Sequence, residues 1–308
     1  MRSPNTLHSC MRPGFHRWSG FSARLTHSGL CHGQYAGRLR PITYPEYKPS
    51  METFIINLAS STERRVIMAA QCDAAGLGYE FIQAVNGSLL TEAEIAQHTR
   101  TVNYAFKPGE IGCALSHLAI YRKMVDENIT QALILEDDAL LTPALSAVLS
   151  STALQLPDNS PTVVLLSRVN KYVNNVIAAV TDTASLYPVY SATTSHAYVI
   201  NLAAAKRLLS LLYPVWMAAD KWCLFEEYGA IKLLAVHPAP VLLHEVAEQT
   251  TIQQINDIAR HNQHKRDIWS RLMAARPMSV RVRHRYRRAV VPLLHRIVEV
   301  NASTDRSI

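Results

Sequence analysis

Ala132-Leu133-Ile134-Leu135-Glu136-Asp137-Asp138-Ala139-Leu140-Leu141 is the stretch on which the fold turns. Four apolar residues run into three consecutive carboxylates, and the chain then becomes apolar again. A short apolar run of this kind reads as a strand buried on both faces, as in a parallel sheet. Three acids at the end of such a strand are costly to bury unless positive charge meets them. Open α/β sheets bind ligands at the carboxyl ends of their strands. The stretch therefore points to a divalent cation held by Asp137 and Asp138, with a phosphate group on its far side.

Upstream, Phe54-Ile55-Ile56-Asn57-Leu58 reads as a first strand. Ser60, with Glu63 three residues on, predicts a capping box and a helix through Val66, Ile67 and Ala70 that ends near Gly76. Tyr79-Glu80-Phe81-Ile82 predicts a second strand, followed by an Asn86-Gly87 turn. This is a β-α-β unit, which favours a parallel sheet. Pro108-Gly109-Glu110 opens another helix, and Asn128 closes it. Leu140 to Leu154 reads as a helix interrupted by Pro143; strands are expected at 163–166, 197–200 and 241–243, and a helix at 203–212. The last of these strands ends in His244 and Glu245.

The chain has 308 residues and a net charge of +7. That charge is unevenly spread: residues 1–50 carry +6, residues 259–308 carry +9, and the middle carries −8. An acidic middle suits a cation-dependent site. The basic ends are either solvated or suited to an anionic surface. The division expected is residues 1–50 as a disordered extension or a mis-assigned start before Met51, residues 51–258 as the folded domain, and residues 259–308 as a basic helical tail. The composition of residues 1–50 also resembles that of a transit peptide. The longest apolar stretch, Leu208 to Ala219, is too short to span a bilayer. Cys10, Cys31, Cys72, Cys113 and Cys223 form no C-x-x-C pair, which argues against a structural zinc site and for reduced thiols in the cytoplasm.

Arg64 and Arg65 sit in the first turns of the helix after Asn57, where a helix N-terminus and guanidinium groups suit a phosphate; a plain surface pair is the alternative. In Gly109-Glu110-Ile111-Gly112-Cys113-Ala114-Leu115-Ser116-His117, two glycines at a helix start imply a close backbone approach. His117 could hydrogen-bond a ligand, although a helical histidine taken alone is more often structural.

These segments, taken together, resemble glycosyltransferase family 25. Ile55 to Leu58 with Thr62-Glu63-Arg64-Arg65 is similar to the family's opening, and Ala84-Val85-Asn86-Gly87 to its A-V-D/N-G turn. Gly109 to His117 resembles G-E-x-G-C-x-x-S-H, and Leu133 to Asp138 resembles L-x-L-E-D-D. His196-Ala197-Tyr198-Val199-Ile200 resembles a later strand. The resemblance spans about residues 52–250 and matches weakly at 155–190. It implies an α/β fold: a GT-A-type, Rossmann-like single domain with a mostly parallel central sheet. It also implies transfer of a hexose, often galactose from UDP-galactose, with inversion, onto a lipopolysaccharide or other cell-surface glycan. Asn57, Arg64, Arg65, Glu110, Ser116, His117, Asp137 and Trp222 are then the expected substrate contacts.

Mn²⁺ or Mg²⁺ would be held by Asp138, Asp137 and His244, since these ions take hard oxygen ligands. Asp137 could instead hold the ribose, and Glu136 points to the opposite side of the strand. Asp220 is the candidate base on the acceptor hydroxyl, with helix capping as an alternative role, and Trp222 could stack on a sugar. The arginine-rich segment 276–296 reads as attachment to an anionic membrane surface, which suits a cytoplasmic enzyme working at the inner face of the membrane on a glycolipid or oligosaccharide acceptor. Nucleic acid is disfavoured because no aromatic stacking set accompanies the arginines. The competing function is a catalytically inactive scaffold that binds a nucleotide-sugar or glycolipid.

Overall fold

The computed structural model describes residues 51–244 and 258–300. The expectations for residues 1–50 and for Glu245 lie outside the described residues. The chain opens with strand β1 (Glu52–Asn57), helix α1 (Thr62–Ala74) and strand β2 (Glu80–Gln83), with β2 parallel to β1. Helix α1 starts one residue later than expected: Ser61 occupies the N-cap, and its side chain makes no capping bond. The Ser60–Glu63 box is therefore absent. Gly76 ends this segment with φ of +67°, a conformation that favours glycine. A short helix α2 (Glu92–His98) follows, closed at its start by a capping box between Thr91 and Glu94.

Helix α3 (Pro108–Asp126) begins on proline, whose missing N–H costs nothing there, and the chain turns at Asn128 with φ of 55°. It leads into β3 (Gln131–Glu136), parallel to β1. Ala132, Leu133, Ile134 and Leu135 are completely buried. Ala132 and Ile134 enter the core that contains α3, whereas Leu133 and Leu135 enter the core that contains Met68 and Cys72 of α1. Two-sided burial is why the run carries no polar residue. Each large side chain removed from water here contributes about 1.5–3 kcal/mol.

The expected helix at 140–154 is a strand and a shorter helix. Strand β4 (Ala139–Leu141) follows the acids directly, and α4 (Ala144–Leu149) starts after Pro143. Next come β5 (Thr162–Leu165), β6 (Lys171–Val173), β7 (Ala178–Ala179), β8 (Ser185–Ser191) and β9 (Ala197–Asn201). Helices α5 (Leu202–Leu212) and α6 (Trp222–Glu227), then β10 (Lys232–His237) and β11 (Val241–Leu243), complete this part. The C-terminal part holds α7 (Ile258–Ala274), α8 (Met278–Arg285), a π-helical turn, α9 (Val291–Leu294) and β12 (Ile297–Glu299).

The main sheet runs in the order β12-β6-β8-β10-β5-β9-β3-β1-β2, with β7 beside β8. Helices cover both faces, which gives the α/β class. The sheet is parallel from β2 through β1 to β3 and between β5 and β10. Its other pairings are antiparallel, so the sheet as a whole is mixed rather than mostly parallel. Strands β4 and β11 form a separate antiparallel ribbon beyond the end of β3.

The basic C-terminal stretch does not stand off as a tail. Strand β12 pairs with β6 at the edge of the main sheet. Glu227, 4% exposed, receives Arg287, His284 and Arg276. A buried carboxylate is tolerable only when paired in this way.

Candidate active site

Parallel pairing brings the C-terminal ends of β1 and β3 to the same edge. Asn57, the last residue of β1, donates from Nδ2 to Asp137 Oδ2 at 2.8 Å and to the Ser61 carbonyl at 3.1 Å. Arg64, in the first turn of α1, donates from Nη1 to Asp137 Oδ1 at 3.2 Å. Asn57, Arg64 and Asp137 thus form one unit, and both Asp137 oxygens are already engaged. Asp137 is thereby held by β1 and α1, with one hydrogen bond on each of its oxygens. Arg65 is not part of the unit; its guanidinium lies over the Phe81 ring, 3.9 Å from the centroid.

Asp138 is in the opposite condition. Its Oδ1 is buried with no hydrogen-bond partner. Burial, then the charges of Glu136 and Asp137, push its carboxyl up to about 7. The β4–β11 ribbon fixes its backbone, since the His244 N–H donates to the Asp138 carbonyl at 2.8 Å. His244 is therefore beside Asp138 in space. A buried carboxylate oxygen lacking a partner, among other acids, has the chemistry of a cation ligand. Oxygen donors suit Mn²⁺ or Mg²⁺.

Asp138 faces a pocket of about 300 Å³ that Glu110, Glu136, Asp220, Lys221 and Lys265 also line. Asp220 receives two hydrogen bonds from Lys221 Nζ, at 2.8 and 2.9 Å. The N-cap of α6 is Lys221, so Asp220 does not cap that helix. Glu110 forms an ion pair with Lys265 of α7, and its other oxygen is buried without a partner.

Glu136 leaves β3 toward α3, opposite to Asp137. It lies 3.3 Å from His117 Nε2 and accepts from Ser195 Oγ at 2.6 Å. Burial alone would raise its carboxyl, but the hydrogen bond and charge of His117, with Ser195, outweigh burial and hold it at about 2. His117 Nδ1 meets the Tyr198 hydroxyl at 2.7 Å, and that hydroxyl meets Tyr121 at 2.8 Å. His117 is 2% exposed, so it supports Glu136 from within the core rather than touching substrate. Cys113, His117 and Glu136 bring ligand atoms within 4.8 Å of one another, yet both His117 nitrogens already have partners.

Two expected substrate contacts are structural. Ser116 Oγ accepts from the Val85 N–H at 2.8 Å and donates to the Gly112 carbonyl at 2.7 Å. A Cβ at Gly112 would stand 2.3 Å from the Val85 carbonyl oxygen, and one at Gly87 would stand 1.7 Å from that of Pro108. The close backbone approach signalled by the glycines is thus the 84–87 turn lying on α3, not a ligand. Trp222 is 1% exposed, with its indole N–H bound to the Thr194 carbonyl at 2.9 Å, and cannot stack on a sugar.

Sequence reading missed Ser195, Lys221 and Lys265. Ser195 adjoins the His196–Ile200 segment and was within reach of it. Lys265 lies 155 positions from Glu110, and no local pattern announces that pairing.

Residues 50–223 match Glycosyltransferase family 25 (LPS biosynthesis protein). A "Glycosyltransferase 25 family member" of Aedes aegypti is 37% identical over 103 residues, which is 29% of this chain and 16% of that protein. "Procollagen galactosyltransferase 2" of Mus musculus is 28% identical over 104 residues, 31% of this chain and 17% of that protein. "Lacto-N-neotetraose biosynthesis glycosyltransferase LgtB" of Neisseria gonorrhoeae is 30% identical over 93 residues, 30% of this chain and 33% of that protein. The chain thus spans a third or less of each of these relatives.

Proposed function

This chain belongs to glycosyltransferase family 25, and we propose on that premise that it transfers a hexose, galactose from UDP-galactose, to a cell-surface glycan such as a lipopolysaccharide. The observation that carries this reading is Asp138: a buried carboxylate oxygen without a partner, beside the Asn57–Arg64–Asp137 unit and in one pocket with Asp220. The ends of parallel strands are where such sheets hold nucleotides.

In this reading the Asn57–Arg64–Asp137 unit orients the nucleotide. Asp138, with His244 beside it, would hold Mn²⁺ or Mg²⁺, which when bound offsets negative charge on the diphosphate. Asp220 takes the proton of the acceptor hydroxyl while that oxygen attacks the anomeric carbon. The bond from the anomeric carbon to the diphosphate oxygen breaks, UDP leaves with the electron pair, and configuration inverts. Lys221 holds the Asp220 carboxylate at the edge of the pocket. Glu136, anchored by His117 and Ser195, keeps the end of β3 in place.

Membrane contact is part of the same proposal. Arg276, His284 and Arg287 are engaged with Glu227, but Arg285 and Arg288 are exposed, a few positions before Leu293 and Leu294, which are 84% and 63% exposed. Cations and exposed leucines on one segment suit an anionic bilayer surface, here the cytoplasmic face.

UDP release measured over a panel of nucleotide-sugars, with Mn²⁺ or with EDTA, tests the reading. Metal-dependent release from UDP-galactose in the presence of acceptor is expected. UDP-sugar binding without release from any donor would favour a scaffold instead.

A further inference from the structure

Next to the acidic pocket lies a second cleft of about 690 Å³, and the two share Thr193, Lys221 and Lys265. Their linings differ in charge. The inner pocket has four carboxylates, Glu110, Glu136, Asp138 and Asp220. Among the described residues, the outer cleft is lined by three cations, Lys221, Lys265 and Arg266, and by no carboxylate. Its aromatic wall is Tyr104 with Trp269, whose rings meet edge to face at 5.2 Å. Lys265 Nζ lies 4.6 Å from the Tyr104 ring centroid, and Lys221 Nζ lies 5.7 Å from it. Arg266, exposed on α7, donates to the neutral Gln263 amide oxygen at 2.6 Å. Much of this wall comes from α7, which lies beyond the residues matched to the family.

We propose that this outer cleft is the acceptor subsite, and that it takes a glycan bearing a phosphate or a carboxylate near the accepting sugar. The inference rests on the transfer reading above and adds the chemical class of the acceptor. Lys221 and Lys265 are already paired with carboxylates, so the attraction for an anion rests on Arg266, and a guanidinium pairs with carboxylate or phosphate through two parallel bonds. Aromatic side chains add apolar area for the faces of a sugar ring. The shared residues Lys221 and Lys265 lead from this cleft to Asp220, the base. Lys221 and Lys265 are held by Asp220 and Glu110, which leaves Arg266 as the cation of the cleft paired with a neutral group.

The test is calorimetric titration of the full chain, without donor, with three probes: lactose, lactose 6′-phosphate and the lactose uronic acid. The charged disaccharides are expected to bind at least tenfold more tightly than lactose. In Arg266→Glu that ratio is expected to fall to about one. Trp269→Ala should weaken all three probes alike and leave the ratio unchanged. A preference for only one of the charged probes would identify the anion. Equal binding of lactose and both charged probes, an unchanged ratio in Arg266→Glu, or displacement of the charged probes by UDP would overturn the inference. A chain that releases UDP from donors yet shows no charge preference fails this inference alone. A chain that keeps the preference yet releases UDP from no donor fails the transfer reading, and the cleft loses its role as an acceptor subsite.

Discussion

Asp137 and Asp138, adjacent carboxylates at the end of one strand, stand in opposite circumstances: both Asp137 oxygens are hydrogen-bonded, by Asn57 and Arg64, while Asp138 Oδ1 is buried with no partner. The difference assigns them different work. Asp137 links β1, α1 and the end of β3, and Asp138 is left with an unmet electrostatic need at the pocket. In the proposed reading that need is met by a bound cation.

Asp220 is tested by its isostere. Asp220→Asn removes the proton acceptor and keeps the shape. Loss of a general base costs about 10²–10⁴ in rate. The expected outcome is a fall of that order in kcat with UDP affinity retained, measured by steady-state transfer and by titration with UDP. Full turnover in this variant would remove Asp220 from the mechanism.

The contact between the 84–87 turn and α3 is tested by stability. Ser116→Ala leaves the Val85 N–H without its partner, at a cost of about 1–3 kcal/mol. Gly112→Ala drives a Cβ against the Val85 backbone, which cannot move aside as a side chain could, and a cost of about 3 kcal/mol is expected. Gly78→Ala is the control, since a Cβ there meets nothing within 4 Å. Denaturant melts that found Gly112→Ala as stable as Gly78→Ala would contradict this packing.

Not all of the fold was legible in the sequence, and the reasons are specific. The run 132–135 could be read because burial on both faces excludes every polar residue. Leu140 and Leu141 could not, because a short apolar run fits helix or strand; their pairing with Leu242 and Val241, a hundred positions away, decides for strand. The β-α-β pattern at 52–83 suggested a parallel sheet, and it is parallel there. Strand β9 inserts between β3 and β5 and runs against both, which no local signal encodes. At the site, Asn57, Arg64, Asp137 and Asp138 were visible because they cluster in short motifs. The burial of Trp222 and the reach of Lys265 to Glu110 depend on packing between distant segments.

Glu226 contributes to the pH dependence of stability, as does Asp138. Burial pushes the Glu226 carboxyl up to about 7 against the hydrogen bond from the Leu233 N–H. Its folded value is above the ordinary 4.5, so the folded form holds the proton more tightly between those values. Stability from this group is present below that window and is lost as pH rises through it. Glu226→Gln is therefore expected to flatten the curve. It should match the wild type near pH 4.5 and exceed it at pH 8 by on the order of 1–3 kcal/mol. Parallel stability curves from chemical denaturation across this range would refute the assignment.

Membrane contact is better tested by charge reversal than by deletion. Removing residues 276–308 would strip Glu227 of its partners and β6 of β12, and so would disturb the fold. Arg285→Glu with Arg288→Glu leaves those contacts alone. Each cation near an anionic surface contributes about 1 kcal/mol, so reversing both should lower binding to phosphatidylglycerol vesicles by well over tenfold. Equal co-sedimentation of the variant and wild type would refute attachment through this face.

The most direct test of the central claim is UDP release from UDP-galactose, in the presence of acceptor, by wild type and Asp138→Asn with Mn²⁺ or EDTA. The wild type is expected to turn over with Mn²⁺ and to stop with EDTA. Asp138→Asn should be at least a hundredfold slower with Mn²⁺ and insensitive to EDTA, while remaining folded, because its amide no longer places a charge in the core. A wild-type rate in Asp138→Asn, or release by the wild type unaffected by EDTA, would contradict the account.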